Sequence, residues 1–463
     1  MPPSSQDTTP TAPAGGGLTA SARLMAVTAV LIAFNLSAMM VTIANVILPS
    51  LAQDLGVTPP QAIWVITSYQ IAVVALLLPL SALADQIGYR PIYLGGLTLF
   101  GLGCLLAGLS QTFPQLLFGR VLQGAGAAAV QSVYVYSMAS IYPRKEVGRG
   151  VALGTMTSQV CIMLAPSLAA LVLLIADWHW TFLIAVPLTA VALAVSATVM
   201  PGSKGSGERF EAGAALVNIA GFTALLLGID GTLRHAQKAP WVALALLGTA
   251  LLALLLRMQR HSRTPLIPTD LFRKPAFALT MATTLLGFGA ANVALVSLPF
   301  LLQDHLALNA QQTGLLITVY PIFTAAAGFL SGWLSNRGTA GMLGAIGLGL
   351  LALGLGAMGL CLAFAPSTWA VAICLAACGT GFGIFVTPNV KAVILIAPPE
   401  RSGAASGMQA TSRLFGQTLG AILVAVALGT QGGNHGLISL GLAALLALAG
   451  AGTSSRRKID PLG

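Results

Sequence analysis

The feature that most constrains this chain is a series of long segments without charged residues. No charged residue occurs between Arg23 and Asp54, and similar segments recur along the chain. Of the 463 residues, 7% are charged and 56% are hydrophobic, whereas a soluble domain carries about 25% charged residues. A helix of about 20 apolar residues crosses the hydrocarbon core of a bilayer. The sequence therefore predicts a polytopic membrane protein.

The apolar segments predict helices rather than barrel strands, because they lack the period-2 alternation of a barrel. We expect 14 transmembrane helices, at 24–49, 62–84, 92–110, 113–138, 149–173, 180–200, 213–229, 240–257, 276–303, 312–334, 341–364, 368–392, 404–428 and 433–451. Residues 1–21 are polar and small and are expected to form a disordered cytoplasmic tail. Residues 452–463 are expected to form a basic cytoplasmic tail.

The distribution of basic residues predicts the orientation in the membrane. With the N-terminus inside, eighteen of the 22 Lys and Arg residues fall in cytoplasmic segments. Arg234 and Lys238 fall outside, and Arg120 and Arg413 fall within spans. Cytoplasmic loops carry an excess of Lys and Arg, so both termini are expected in the cytoplasm. The net charge of +10 results from this distribution and does not indicate a nucleic-acid partner.

Two pairs of similar segments indicate an internal repeat. SALADQIGYRPIY resembles SGWLSNRGTAG and aligns Asp85 with Asn336 at an offset of 251 residues. The segments before spans 5 and 13 align Gly150 with Gly403 at an offset of 253. Nearly equal offsets indicate two six-helix units in the same orientation, as in known transporters. We predict an N-terminal six-helix bundle, an inserted helix pair with cytoplasmic linkers, and a C-terminal six-helix bundle, at 22–200, 201–274 and 275–451.

Several motifs resemble those of the major facilitator superfamily, and in particular its fourteen-span drug:proton antiporter family. ADQIGYR is similar to the superfamily's loop between helices 2 and 3, and LLFGRVLQGAGAA is similar to its helix-4 motif. TSYQIA, DWHWTFLIAVP, RTPLIPTDLFRKPAF and SRLFGQTLG resemble the fourteen-span branch. The resemblance covers essentially residues 24–451. It implies an all-α polytopic fold of two six-helix bundles plus an inserted two-helix hairpin, and it is not specific for a substrate.

Two groups of residues are candidates for conformational control and coupling. The resemblance implies that Asp85, Gly88 and Arg90, here called the latch, stabilise one conformation, with Gly88 allowing a tight turn. The alternative is that Arg90 is only a topology anchor. A charge such as Arg120 inside a span usually has a function and a partner, and Gln123 lies one turn away. The resemblance assigns this pair to coupling, whereas the alternative is an arginine that ties two helices together through backbone carbonyls.

Polar side chains within spans are candidates for a substrate cavity. Arg413 lies about 15 Å from the cytoplasmic end of its span, flanked on one face by Gln409 and Gln417. This polar stripe faces either a central cavity or a seam between packed helices. The candidate cavity residues are Thr42, Asn45, Tyr69, Gln70, Gln131, Gln159, Asn292, Tyr320, Asn389 and Arg413. Pro166 is expected to bend its helix, as in the antiporter motif.

The positions of the acidic residues constrain the charge of the substrate and the choice of a residue that could couple transport to protons. The fourteen-span relatives carry an aspartate in helix 1, where this chain has Met40, and none of its 12 acidic residues lies mid-span. A buried dication would have no carboxylate to pair with, so we expect neutral, anionic or singly cationic substrates. A proton carrier must titrate, which arginine does not. The acids near span ends that could do so are Asp85, Asp230 and Asp304, of which we favour Asp304. The alternatives are an anionic substrate that carries the proton or uncoupled transport.

The predicted function is export of small amphiphilic molecules by a bacterial inner-membrane transporter of the multidrug-efflux type, coupled to protons. The alternative transporter exports one anionic or neutral metabolite. An integral-membrane enzyme would need a convergent nucleophile, base or metal cluster, and the five Cys and five His residues are scattered instead. We therefore expect no enzyme activity, no metal and no cofactor. Whether a periplasmic adaptor is engaged stays open.

Overall fold

The computed structural model describes residues 20–457 except 143–146, 203–204, 206–209, 235–236, 260–266, 268, 335–339, 398–401 and 430–434. All regular elements in the described part are helices. Twelve of them, some running through short breaks, are long and apolar enough to cross a membrane. The chain is therefore an all-helical, multi-pass membrane protein.

The helices group into two halves and a pair between them. The first half contains α1 (Ala20–Asp54), α2 (Pro59–Ala62), α3 (Trp64–Ile87), α4 (Tyr89–Gly108), α5 (Phe113–Ser132), α6 (Tyr134–Ile141), α7 (Val147–Ile175), α8 (His179–Leu183) and α9 (Ala185–Val199). The pair is α10 (Ala212–Arg234) and α11 (Ala239–Met258). The second half contains α12 (Thr269–Phe272), α13 (Pro275–Leu306), α14 (Ala310–Ile317), α15 (Val319–Leu334), α16 (Ala340–Phe364), α17 (Thr368–Ile396), α18 (Ser402–Gly429) and α19 (His435–Ser455). The membrane end at which α1 and α13 terminate is called the outer end, following the predicted orientation.

The twelve apolar helices account for all but two of the predicted spans. The remaining two coincide with α5 plus α6 and with α7. Helix α5 carries one arginine and three glutamines, which lower its hydropathy. Helix α7 is 29 residues long and apolar. The fourteen-helix arrangement is thus consistent with the structure.

Close helix contacts at glycines occur at equivalent places in the two halves, which supports the internal duplication. A Cβ on Gly126 of α5 would lie 2.6 Å from the carbonyl oxygen of Gly96 of α4. In the second half, a Cβ on Gly381 of α17 would lie 2.5 Å from the carbonyl oxygen of Gly347 of α16. Gly96 and Gly347 are 251 residues apart, which is the offset of the aligned loops. Small residues allow such close helix approach in membranes, so both halves use the same crossing.

Helix α10 of the inserted pair packs against both halves. Asn218 of α10 donates from Nδ2 to the Ala75 carbonyl oxygen of α3 at 2.9 Å. On the other side, the Phe222 ring meets the Phe415 ring of α18 edge-on, with centroids 6.0 Å apart. The pair thus contacts one helix from each half.

The terminal helices extend beyond their predicted limits. Helix α1 begins at Ala20, inside the segment predicted as a tail. Helix α19 ends at Ser455, and Arg457 beyond it is buried, with 3% of its surface exposed. The loop predicted to mirror the latch includes residues 335–339, which lie outside the described residues.

Candidate substrate pathway

The outer parts of the two halves are in direct contact. The hydroxyls of Ser167 in α7 and Thr318, between α14 and α15, are 2.7 Å apart. A Cβ on Gly314 of α14 would lie 2.8 Å from Ala170 Cβ and 3.1 Å from the carbonyl oxygen of Pro166. Pro166 lies inside α7, so the backbone at the expected bend forms part of this contact. The described contacts between the halves therefore close the outer end.

Four aromatic rings of the second half form a cluster near the middle of its membrane-spanning helices. The Phe288 ring centroid is 5.2 Å from that of Phe382 and 6.0 Å from that of Phe385. The Tyr320 ring lies 5.9 Å from Phe382. We call Phe288, Tyr320, Phe382 and Phe385 the ring cluster. Of these four residues only Tyr320 was among the predicted cavity residues, because nothing in the sequence indicates which phenylalanines meet.

Arg413 lies beside the ring cluster. The carbon of its guanidinium is 5.9 Å from the Phe288 ring centroid. Arg413 is partly exposed, as are Gln409 and Gln417 on the same face of α18. Asn292 of α13 donates from Nδ2 to the Gln417 carbonyl oxygen at 2.6 Å. The side chains of the polar stripe are therefore partly exposed rather than enclosed by the described helices.

Arg120 is enclosed by α3 and α5. Its Nε donates to the Val65 carbonyl oxygen at 2.7 Å, and its Nη1 donates to the side-chain oxygen of Gln123. Gln123 in turn donates to the sulfur of Cys104 at 2.9 Å. The guanidinium carbon also stacks 4.4 Å from the Tyr69 ring centroid. This geometry includes the backbone tie that the sequence analysis kept as the alternative to coupling.

Several of the predicted cavity residues are buried with unpaired polar atoms. Both side-chain polar atoms of Gln70, Oδ1 of Asn45 and the hydroxyl of Tyr320 have no hydrogen-bond partner among the described residues. Unpaired buried polar atoms are rare in native structures and call for a partner such as water or a ligand. Thr42 and Gln131 are partly exposed. The side chain of Gln159 lies outside the described residues.

Tyr69 is placed differently from its neighbour Gln70. Its hydroxyl donates to the Ser37 carbonyl oxygen of α1 at 2.8 Å, and its side chain is 1% exposed. Tyr69 therefore joins α3 to α1, while its ring contacts Arg120.

Asn389 lies in a polar cluster with an arginine that the sequence analysis placed in the basic tail. Arg457 donates from Nη1 to Asn389 Oδ1 at 2.7 Å and from Nη2 to the Ala340 carbonyl oxygen at 3.2 Å. Asn389 Nδ2 donates to the Thr284 hydroxyl at 2.7 Å. Burial lowers the pKa of Arg457 to about 10, so the side chain stays charged at neutral pH. Arg457 thereby connects α13, α16, α17 and α19 at the membrane end opposite the outer end.

We expect Arg457→Gln to lower the free energy of unfolding by about 2 kcal/mol, because hydrogen bonds to charged groups contribute about 1.5–3 kcal/mol each. The matched control is Arg456→Gln, since Arg456 is adjacent and exposed. Thermal unfolding of both variants in detergent measures the difference. Equal unfolding temperatures for the two variants would contradict the buried role of Arg457.

The latch residues make contacts within the first half. Gly88 separates α3 from α4 with a φ of 97°, a conformation that favours glycine. Arg90 donates from Nη2 to the Ala197 carbonyl oxygen at the end of α9, at 2.7 Å. Asp85 interacts with the hydroxyl of Tyr136 in α6. The described contacts of the latch therefore join helix ends at the membrane end opposite the outer end.

The described acids differ sharply in burial. Asp304, favoured as the proton carrier, is exposed at the outer end of α13. Asp230, near the outer end of α10, is 1% exposed and its carboxylate lies 2.6 Å from the Arg234 guanidinium. Arg234 also donates to the Pro60 carbonyl oxygen at 2.5 Å. Nothing in the sequence predicts this ion pair, because each residue alone resembles an ordinary residue at a span end.

Comparisons with known proteins agree with this architecture. Residues 30–421 match the sequence model of the Major Facilitator Superfamily. The uncharacterized transporter YebQ of Escherichia coli K12 is 40% identical over 448 residues, covering 96% of this chain and 98% of YebQ. A relative from Escherichia fergusonii named as a multidrug resistance protein, MdtD, is 33% identical over 286 residues, covering 61% of this chain and 60% of MdtD.

A solved structure shows the same fold at low sequence identity. The crystal structure of a POT family transporter in complex with a thioalcohol-conjugated peptide superposes with a TM-score of 0.70 and 14% identity. The match covers 93% of this chain and 94% of the other. The fold and the sequence together define a membrane transporter. The chain belongs to the Major Facilitator Superfamily, as its motifs indicated.

Proposed function

We propose that this protein exports small amphiphilic molecules across the bacterial inner membrane, in exchange for protons, by alternating access. The observation that carries the proposal is the closed outer end beside a polar and aromatic region near the membrane midplane. An exporter must take up its cargo from the cytoplasm, and a closed outer end suits that step. The name of the partial relative MdtD, which refers to multidrug resistance, supports the efflux assignment.

The proposed orientation places both termini in the cytoplasm. The 18-to-2 distribution of basic residues supports it. In this orientation Asp304 is exposed to the external solvent, where protons enter during antiport. We keep Asp304 as the proposed proton carrier, with Gln303 beside it.

Transport into inside-out vesicles tests the proposal. A neutral, an anionic, a singly cationic and a dicationic dye are offered outside vesicles with an acidic lumen. We expect uptake of the first three to exceed uptake of the dication, to collapse with an ionophore and to decrease in Asp304→Asn. Uptake no greater than in vesicles without the protein would contradict the proposal. Uptake of a single compound would favour the alternative, an exporter of one metabolite.

We expect Asp85→Asn and Arg90→Ala each to lower the transport rate about tenfold while leaving membrane insertion intact. The latch is proposed to stabilise one conformation, and a change of about 1.4 kcal/mol in a conformational equilibrium is a factor of ten. Arg273→Ala is the matched control, because Arg273 is an exposed cytoplasmic arginine. Wild-type rates in both latch variants would show that these residues are surface anchors.

A further inference from the structure

Arg413 differs from the other interior arginines in having no hydrogen-bond partner among the residues that the structure describes. Arg120, Arg234 and Arg457 each donate at least two hydrogen bonds to protein acceptors. Arg413 has no hydrogen bond or ion pair with any residue that the structure describes. Its side chain is partly exposed rather than enclosed. Its donors are therefore available to a molecule that is not part of the protein.

Arg413 lies deep in its membrane-spanning helix, which makes its lack of hydrogen-bond partners among the described residues unusual. Arg413 lies 11 residues into α18, which places it about 16 Å from the cytoplasmic end of the helix. The hydrocarbon core is about 30 Å thick, so the guanidinium is close to its middle. A charge at that depth costs at least about 2.5 kcal/mol and normally marks a functional site.

The surroundings of Arg413 are positive and aromatic. Tyr69 of the first half lies within electrostatic range of Arg413, and the Arg120 guanidinium stacks on the Tyr69 ring. None of the described acids lies mid-span, so two positive charges act on this region without a counter-charge. The ring cluster begins at Phe288, directly beside Arg413. The buried Tyr320 hydroxyl in that cluster has no partner among the described residues.

We propose that Arg413 and the ring cluster form the binding site for an aromatic anion, a carboxylate or sulfonate on one or two fused rings. The guanidinium binds the acidic group through charge-assisted, bidentate hydrogen bonds. Phe288 and its neighbours contact the ring in edge or offset-stacked geometry. The Tyr320 hydroxyl donates to a polar substituent on the ring. This assignment rests on the proposed export function and specifies the substrate class.

The test compares three probes with the same ring system: 1-naphthalenesulfonate, the neutral 1-naphthalenemethanol and the cationic 1-naphthylmethylammonium. Isothermal titration calorimetry on the full chain in detergent micelles measures their dissociation constants. We expect wild type to bind the sulfonate at least about tenfold more tightly than the other two, the effect of one charge-assisted pair. Equal or tighter binding of the cation would overturn the proposal.

Variants then test whether Arg413 and Phe288 cause the expected preference for the sulfonate. Arg413→Gln is expected to weaken sulfonate binding about tenfold and to leave binding of the neutral probe nearly unchanged. Arg413→Lys, which keeps the charge, should retain the preference, and Phe288→Leu should weaken all three probes. Arg273→Gln controls for micelle partitioning and net charge. Sulfonate binding that is unchanged in Arg413→Gln would overturn the assignment, and so would equal probe affinities in Arg413→Lys.

Binding measured in this way does not require transport. If the sulfonate binds as expected but no dye is transported in vesicles, the export function fails and the anion site stands. If amphiphiles are exported but the sulfonate has no preference, the anion site fails and the export function stands.

Discussion

Replacing Gly314 with leucine is expected to reduce transport at least about fivefold without preventing insertion. The new side chain would begin 2.8 Å from Ala170 Cβ, on a surface shared by the two halves. Overpacking of a close contact costs about 1–3 kcal/mol, equivalent to about a 5- to 150-fold shift in an equilibrium. The cost falls only on the state with a closed outer end, so the protein folds but cannot complete its cycle.

The matched control for this prediction is Gly356→Leu. Gly356 lies on α16 with no atom within 4 Å of an added Cβ, so the same chemical change meets no neighbour. Dye uptake into inside-out vesicles is compared for the two variants at equal protein level. Equal uptake would show that the Gly314 contact does not limit transport.

Replacing Asp230 with asparagine is expected to lower the free energy of unfolding by about 3 kcal/mol. The change leaves the Arg234 side chain, which is 11% exposed, without its carboxylate, and removing one partner of a buried ion pair costs about 3–5 kcal/mol. The same pair anchors α10 to the first half, because Arg234 also donates to Pro60. Thermal unfolding in detergent measures the loss.

The double variant Asp230→Leu, Arg234→Met provides the decisive comparison. Replacing both charges by hydrophobic residues of similar volume is often neutral, so the double variant should recover most of the lost stability. Asp304→Asn controls for the loss of one outer carboxylate, since Asp304 is exposed. A double variant as unstable as Asp230→Asn would show that the ion pair is not the source of the effect.

The sequence predicted those features that follow from local composition. Apolar length identified the helices, and the offset of 251 residues between aligned loops recurs in the Gly96 and Gly347 crossings. The depth of Arg120 and Arg413 was also evident, because it depends only on position within a helix. These properties depend on the order of residues along the chain and not on contacts between distant helices.

The features that the sequence could not predict depend on contacts between distant helices. Arg456 and Arg457 are adjacent residues of the same type, yet Arg456 is exposed, whereas Arg457 is buried with only 3% of its surface exposed. Arg120 has acceptors on α3 and α5, whereas Arg413 has none among the described residues. Partnering of this kind arises from tertiary packing, so composition and spacing do not reveal it.

The central claim is that the midplane region around Arg413 is reached from the cytoplasm first and from outside later in the cycle. Single cysteines are introduced at Gln409 and at Ser167 in a variant that lacks the five native cysteines. Labelling by a membrane-impermeant maleimide then measures from which side of the membrane each position is accessible. We expect Gln409→Cys to react only from the cytoplasmic side at rest, and Ser167→Cys to become reactive from outside when substrate and a proton gradient are present. Labelling of Gln409→Cys from outside at rest, or no change at Ser167→Cys during transport, would contradict the account.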